Sequence, residues 1–112
     1  MKIITDKITT AELKQMATDG FGDMVKAVVD VSRKNLALNA ELHADLEAKL
    51  LESGSKQKDL WGINLYPDLA GDDFVEFDSM INVRPSQGNR SRSVQDEATR
   101  SQILSIVREK VT

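Results

Sequence analysis

Val25-Lys26-Ala27-Val28-Val29-Asp30-Val31-Ser32-Arg33-Lys34-Asn35-Leu36-Ala37-Leu38 is the stretch that decides the fold class. Its first half is β-branched and alternating, which puts Val25, Ala27, Val29 and Val31 on one face of a strand. Ser32 to Asn35 has the composition of a turn, and Leu36-Ala37-Leu38 reads as a short returning strand. The stretch predicts a β-hairpin, and the rest of the chain must supply what covers it.

Helical patterns flank the hairpin on both sides. Thr9-Thr10-Ala11-Glu12 has the form of a capping box, with Ile8 and Leu13 placed as a hydrophobic staple, so a helix is expected over about 9–19. Gly20 and Gly22 stop it. After the hairpin, Asn39 is a plausible N-cap, and Leu42, Leu46 and Leu50 recur at i+4 as one apolar stripe. Gly54 stands where a left-handed residue would end that helix. Trp61, Ile63 and Leu65 alternate before Pro67, and Pro67 to Asp73 is a loop. Phe74 to Val83 predicts a longer strand, with Val75, Phe77, Ile81 and Val83 inward and Glu76, Asp78, Met80 and Asn82 outward. Arg84 precedes Pro85 and is held extended, so the strand ends there. A last helix beginning near Ser93 or Asp96 buries Ile103, Leu104, Val107 and Val111.

These elements predict one α+β domain over residues 1–112, in the order α-β-β-α-β-β-α. Two hairpins make a four-stranded sheet, mixed or antiparallel, with about three helices packed mainly on one face. The helix between the Leu36–Leu38 and Trp61–Leu65 strands is placed to act as a right-handed crossover that would make those two strands parallel.

The chain has 112 residues and no cysteine, which excludes disulfides and thiolate metal sites. Its first residues lack the apolar run of a secretory signal, and no stretch approaches the roughly 20 apolar residues that span a bilayer. A cytoplasmic protein without a membrane partner is the expectation. The formal net charge of −3 opposes broad, non-specific binding to nucleic acid. The charge is uneven, however. Residues 84–112 hold six basic side chains (Arg84, Arg90, Arg92, Arg100, Arg108, Lys110) against Asp96, Glu97 and Glu109, so a basic tail sits on an acidic body.

Arg84-Pro85-Ser86-Gln87-Gly88-Asn89-Arg90-Ser91-Arg92 concentrates three guanidinium groups, two amides and two hydroxyls, with Gly88-Asn89 suited to positive φ. The loop feeds a helix start, where free amides attract anions, and guanidinium forks match phosphate and carboxylate oxygens. An anion site built from Arg84, Gln87, Asn89, Arg90 and Arg92 is one reading. Intramolecular pairing of the arginines with Asp72, Asp73, Glu76 and Asp78 is the other. No Gly-Lys-Ser/Thr ending is present, so this is not a Walker-type phosphate loop.

His43 is the only histidine. Glu41, His43 and Asp45 look like a ligand cluster, but residues two apart on a helix point away from each other, so no metal and no cofactor is expected. His43 reads either as a weak general acid or base or as a solvent-edge partner of Glu47. Trp61 reads as core, and Asn64 and Asn82 lie in apolar strands where each amide requires partners.

Three runs, Glu41–Glu47, Gly54–Gln57 with Asp59–Pro67, and Phe77–Arg92, resemble a family of short prokaryotic proteins catalogued only as a domain of unknown function. The resemblance spans nearly the whole chain and is most specific over Arg84–Arg92. It implies a stand-alone microbial protein and brings no catalytic residue with it. Three functions follow as expectations. One is a domain that binds a phosphate-bearing or acidic metabolite through the arginine loop. Another is a small phosphodiester hydrolase or ribonuclease using His43, which the acidic composition opposes. The third is an interaction module for an acidic protein partner. Unblocked sheet edges and Met80 suggest a homodimer.

Overall fold

The computed structural model describes residues 1–112 as five strands and three α-helices. In chain order these are β1 (Lys2–Ile4), α1 (Thr10–Asp19), β2 (Val25–Asp30), β3 (Asn35–Leu38), α2 (His43–Glu52), β4 (Leu60–Leu65), β5 (Val75–Glu76) and α3 (Glu97–Lys110). The sheet order is β1-β3-β2-β4-β5, and every ladder is antiparallel. No helix is long and apolar enough to cross a membrane.

The α+β class and the β2–β3 hairpin agree with the sequence reading, and three details of it are corrected. The sheet has five strands because Lys2-Ile3-Ile4 pairs with β3 at one edge. The β3–α2–β4 link does carry the chain back in the same direction, but β2 lies between β3 and β4. Each therefore pairs with β2, and no parallel ladder forms. The expected Phe74–Val83 strand is only Val75–Glu76, followed by a 3-10 turn at Met80–Asn82. Phe77 packs against one core cluster and Ile81 against the other, on opposite faces of the sheet. In a single strand these two positions would share a face.

Alternation along the strands sorts the core into two layers. Val25, Ala27, Val29, Leu36, Leu38, Trp61, Ile63 and Leu65 meet Leu13 and Ala17 of α1 and Ile103, Ile106 and Val107 of α3. On the opposite face Val28, Ala37 and Leu60 meet Leu46 and Leu50 of α2. Two of the three helices thus share a face and the third covers the other, so β4 is buried along its whole length.

Local chemistry explains the helix ends. The Thr9 hydroxyl accepts from the Glu12 amide at 3.1 Å, the N-cap half of a capping box, while the Glu12 carboxylate reaches back to the Thr9 hydroxyl at 3.3 Å instead of to its amide; Ile8 and Leu13 are both buried, as a staple requires. The second helix starts later than its apolar stripe suggested. Asn39 adopts φ 74°, and Leu42 is extended and becomes the N-cap. Leu42 is consequently 57% exposed and lies outside the core, which begins with Leu46. Gly54, at φ 105°, follows the C-cap Ser53 in the left-handed conformation that glycine tolerates. The chain ends are tied together: the Ile8 amide donates to the Lys110 carbonyl at 2.8 Å, and Lys110 Nζ donates to the Thr5 carbonyl at 2.9 Å.

Leu46→Ala should cost about 2–5 kcal/mol in denaturant unfolding, the usual range for truncating a fully buried leucine. A loss below about 0.5 kcal/mol, typical of surface positions, would contradict the α2 packing.

Candidate functional site

β5 pairs with β4 only at Asn64 and Leu65, so the same edge of β4 needs other partners at Leu60 and Gly62. Asn82 supplies them at Gly62. Its carboxamide accepts from the Gly62 amide at 2.8 Å and donates to the Gly62 carbonyl at 2.9 Å and to the Arg92 carbonyl at 2.9 Å. Arg84 supplies the Leu60 carbonyl, and donates also to the carbonyls of Ile81 and Gln57 at 2.9 and 2.7 Å. Its guanidinium lies 4.3 Å from the Trp61 ring centroid. Burial pushes the Arg84 pKa down while the Glu47 carboxylate pulls it back up.

The other loop residues are placed as follows. Gln87 accepts from Arg84 at 3.1 Å and donates to the Lys58 carbonyl at 3.2 Å. Asn89 is buried; its Nδ2 donates to the carbonyls of Asn82, Ser91 and Ser93, and its Oδ1 accepts from the Gln95 amide. Gly88 takes the φ of 80° expected at that step. Arg92 pairs with Asp78 at 2.6 Å. Arg90 is exposed, and no carboxylate lies within 4.0 Å of it. Arg84 and Arg92 thus have partners within the chain, and Arg90 has a free guanidinium.

A second group of cations lies at the end of the sheet where β2 stops and β4 starts, since Asp30 and Leu60 are paired in register. Arg33 and Lys34 come from the β2–β3 turn, and Lys56 and Lys58 from the approach to β4. None of the four has a carboxylate within 4.0 Å. Asp30, Ser32, Arg33, Gly54, Ser55, Lys56, Lys58 and Asp59 line a cavity of about 270 Å³ with no apolar wall. The Asp30 carboxylate in that lining is already bonded, accepting from the Ser32 and Arg33 amides and the Ser55 hydroxyl. Arg33 is held by a 2.8 Å bond from Nη1 to the Ser53 carbonyl, and a Cβ on Gly54 would come within 2.7 Å of Nη2. Sequence reasoning passed over Arg33, Lys56 and Lys58, because 22 positions or more separate the turn from the lysines and only the antiparallel β2–β4 pairing joins them. The signal available was that both segments flank strand ends.

His43 stands apart from these cations. It is 8% exposed, not at a solvent edge, and Nε2 lies 2.8 Å from the Ile63 carbonyl. A carbonyl only accepts, so Nε2 carries the proton and Nδ1 is bare in the neutral ring. Burial lowers the His43 pKa below 6.5, with Lys26 adding to the shift and the Ile63 carbonyl, Asn64 and Asp78 opposing it. Asn64 donates to Glu76 at 2.9 Å and to the Asp78 carbonyl at 3.2 Å, leaving its buried Oδ1 unpaired. His43 lines none of the five principal cavities. Glu41 and Asp45 are exposed, so the three residues of that helix start do not gather.

Two outcomes follow. Arg84→Lys should destabilise the fold by about 1–3 kcal/mol in urea, because an ammonium cannot reach several buried carbonyls at once; an unchanged midpoint would show that the edge does not need it. For His43, the unfolded chain binds the proton more readily than the folded one. Stability is therefore full above the unfolded pKa near 6.5 and declines as pH falls toward the lower folded pKa. Between about pH 7.5 and 5.5 the wild-type midpoint should drop, and His43→Gln should flatten that drop.

No curated protein and no solved structure matches the chain. The family described as Protein of unknown function (DUF5674) matches residues 2–110. That match takes in all five strands, all three helices and both cation-bearing segments, and the chain belongs to this family.

Proposed function

We propose that this domain binds a small anion, a phosphate-bearing or acidic metabolite, at the β2–β4 end of the sheet, and that it does so without catalysing a reaction. Arg33, Lys56 and Lys58 make the contacts, with Arg90 of the arginine loop as the flanking charge. The observation that carries this reading is a cavity without a hydrophobic residue in its lining, where three cations outnumber Asp30 and Asp59 and have no carboxylate within 4.0 Å, on a chain of net charge −3. Uncompensated positive charge in a concave site concentrates anions. Arg84, Gln87 and Asn89 serve by holding the loop, since their hydrogen bonds run within the chain. Against a catalytic role, His43 is buried and hydrogen-bonds at Ile63, roughly 10 Å along β4 from Leu60 at the usual rise per residue.

Thermal unfolding of the wild type should rise with inorganic phosphate at constant ionic strength, by about 1.4 kcal/mol of stabilisation at ten times Kd. A Lys56→Ala/Lys58→Ala variant should fold normally in chloride and lose the phosphate effect. A wild type indifferent to phosphate and to pyrophosphate would end this reading.

A further inference from the structure

The cation-lined cavity does not stand alone. Lys58 and Asp59 also line a second cavity of about 600 Å³, whose other walls include Gln87, Asn89, Gln95, Asp96 and Thr99. Together the two fall within the roughly 300–1,000 Å³ usual for small-molecule sites. Their chemistry differs. In the larger chamber most polar atoms are already used: Asn89 by four backbone groups, Gln87 by Arg84 and the Lys58 carbonyl, Gln95 Oε1 by the Arg90 amide. The Thr99 hydroxyl donates to Asp96 Oδ2. What remains open as acceptor is the Asp59 carboxylate and Asp96 Oδ1; the open donors are Gln95 Nε2 and, on the side shared with the cation-lined chamber, Lys58 Nζ. The Thr99 hydroxyl, and then its amide, hold the Asp96 carboxyl below its ordinary range, so this acceptor is ionised at neutral pH.

A ligand that fills both chambers therefore needs an anionic head for Arg33, Lys56 and Lys58 and a body that donates hydrogen bonds to carboxylates. An extended polyanion is repelled by Asp59 and Asp96, and an apolar body finds only Val31 and Trp61. Resting on the anion-binding reading above, we infer that the ligand is a small phosphorylated polyhydroxy compound, with its phosphate in the cation-lined chamber and its hydroxyls on Asp59 and Asp96. A site that hydrogen-bonds hydroxyls discriminates strongly against a ligand lacking them.

Titration calorimetry with ribose 5-phosphate, inorganic phosphate and ribose tests this on the whole chain. The expected result is a sugar phosphate bound at least about tenfold more tightly than phosphate, a factor that one well-made polar contact supplies, with no heat from ribose alone. Asp59→Asn, at a half-buried position whose side chain makes no hydrogen bond in the structure, should erase most of that preference while phosphate binds as well as before or better. A sugar phosphate bound no more tightly than phosphate overturns the inference and leaves the anion site standing. Failure of both anions to bind overturns the inference and the anion site together. A preference that survives in Asp59→Asn and in Asp96→Ser, which keeps a capping oxygen for α3, overturns the placement of the hydroxyls.

Discussion

Gly62 presents an amide and a carbonyl to a side of β4 where no strand lies, and the Asn82 carboxamide meets both. Asn82 is fully buried, so neither backbone group has water as an alternative. Leaving one such group unpaired costs about 1–3 kcal/mol, and this single side chain answers for two of them. The arrangement dictates its surroundings. A Cβ at position 62 would come within 2.5 Å of the Ser79 Cβ, so the segment that delivers Asn82 lies directly on the strand and only glycine admits it. The 3-10 turn at Met80–Asn82, set by the Ser79 hydroxyl accepting from the Ile81 amide, aims the carboxamide at the edge.

The composition of the arginine loop follows from the same constraint. A loop that replaces a strand must offer hydrogen-bonding side chains where the strand would offer backbone, and residues 84–93 contain no apolar side chain other than Pro85. Arg84 continues the edge cover at Leu60, and Asn89 ties the loop to itself across the Arg84–Asn89 bridge. Covering an edge in this way also removes a site for strand addition by another chain. The guanidinium groups that looked like ligands for an anion are in two cases occupied by this task and by Asp78.

The fold was legible where the signal was local. The N-cap at Thr9, the alternation of β2 and the left-handed Gly54 each follow from a few adjacent residues, and each is present. It was illegible where tertiary contact decided. Lys2-Ile3-Ile4 is too short to show a period, and only β3 makes it a strand. Residues 74–83 alternate well enough for a strand, but Ser79 packs directly on Gly62 and the Asn82 carboxamide takes both Gly62 backbone groups in place of a continued β5. At the site, the polar character of Arg84–Arg92 was readable, whereas the division between groups that hold the loop and groups left free was not. That division depends on which carbonyls of β4 lack a strand neighbour, and those are assigned only once the sheet is assembled.

With both faces of the sheet covered and its β4 edge closed by side chains, the ends of the strands are where backbone and charge lie open together. At the β2–β4 end the signs compete. The C-terminus of α2 contributes roughly half a negative charge, felt within about one turn, and it is this end that holds Arg33 through the Ser53 carbonyl. Asp30 and Asp59 add two carboxylates, the first already bonded to two amides and a hydroxyl. Against them stand Arg33, Lys34, Lys56 and Lys58, none within 4.0 Å of a carboxylate. The local balance is positive, while the remaining acidic charge is spread over a body of 37 × 29 × 23 Å. At physiological ionic strength the screening length is about 8 Å, so most of that acidic charge does not reach the site. A short-range positive site therefore sits on an acidic protein, its field confined to the cavity and its immediate rim.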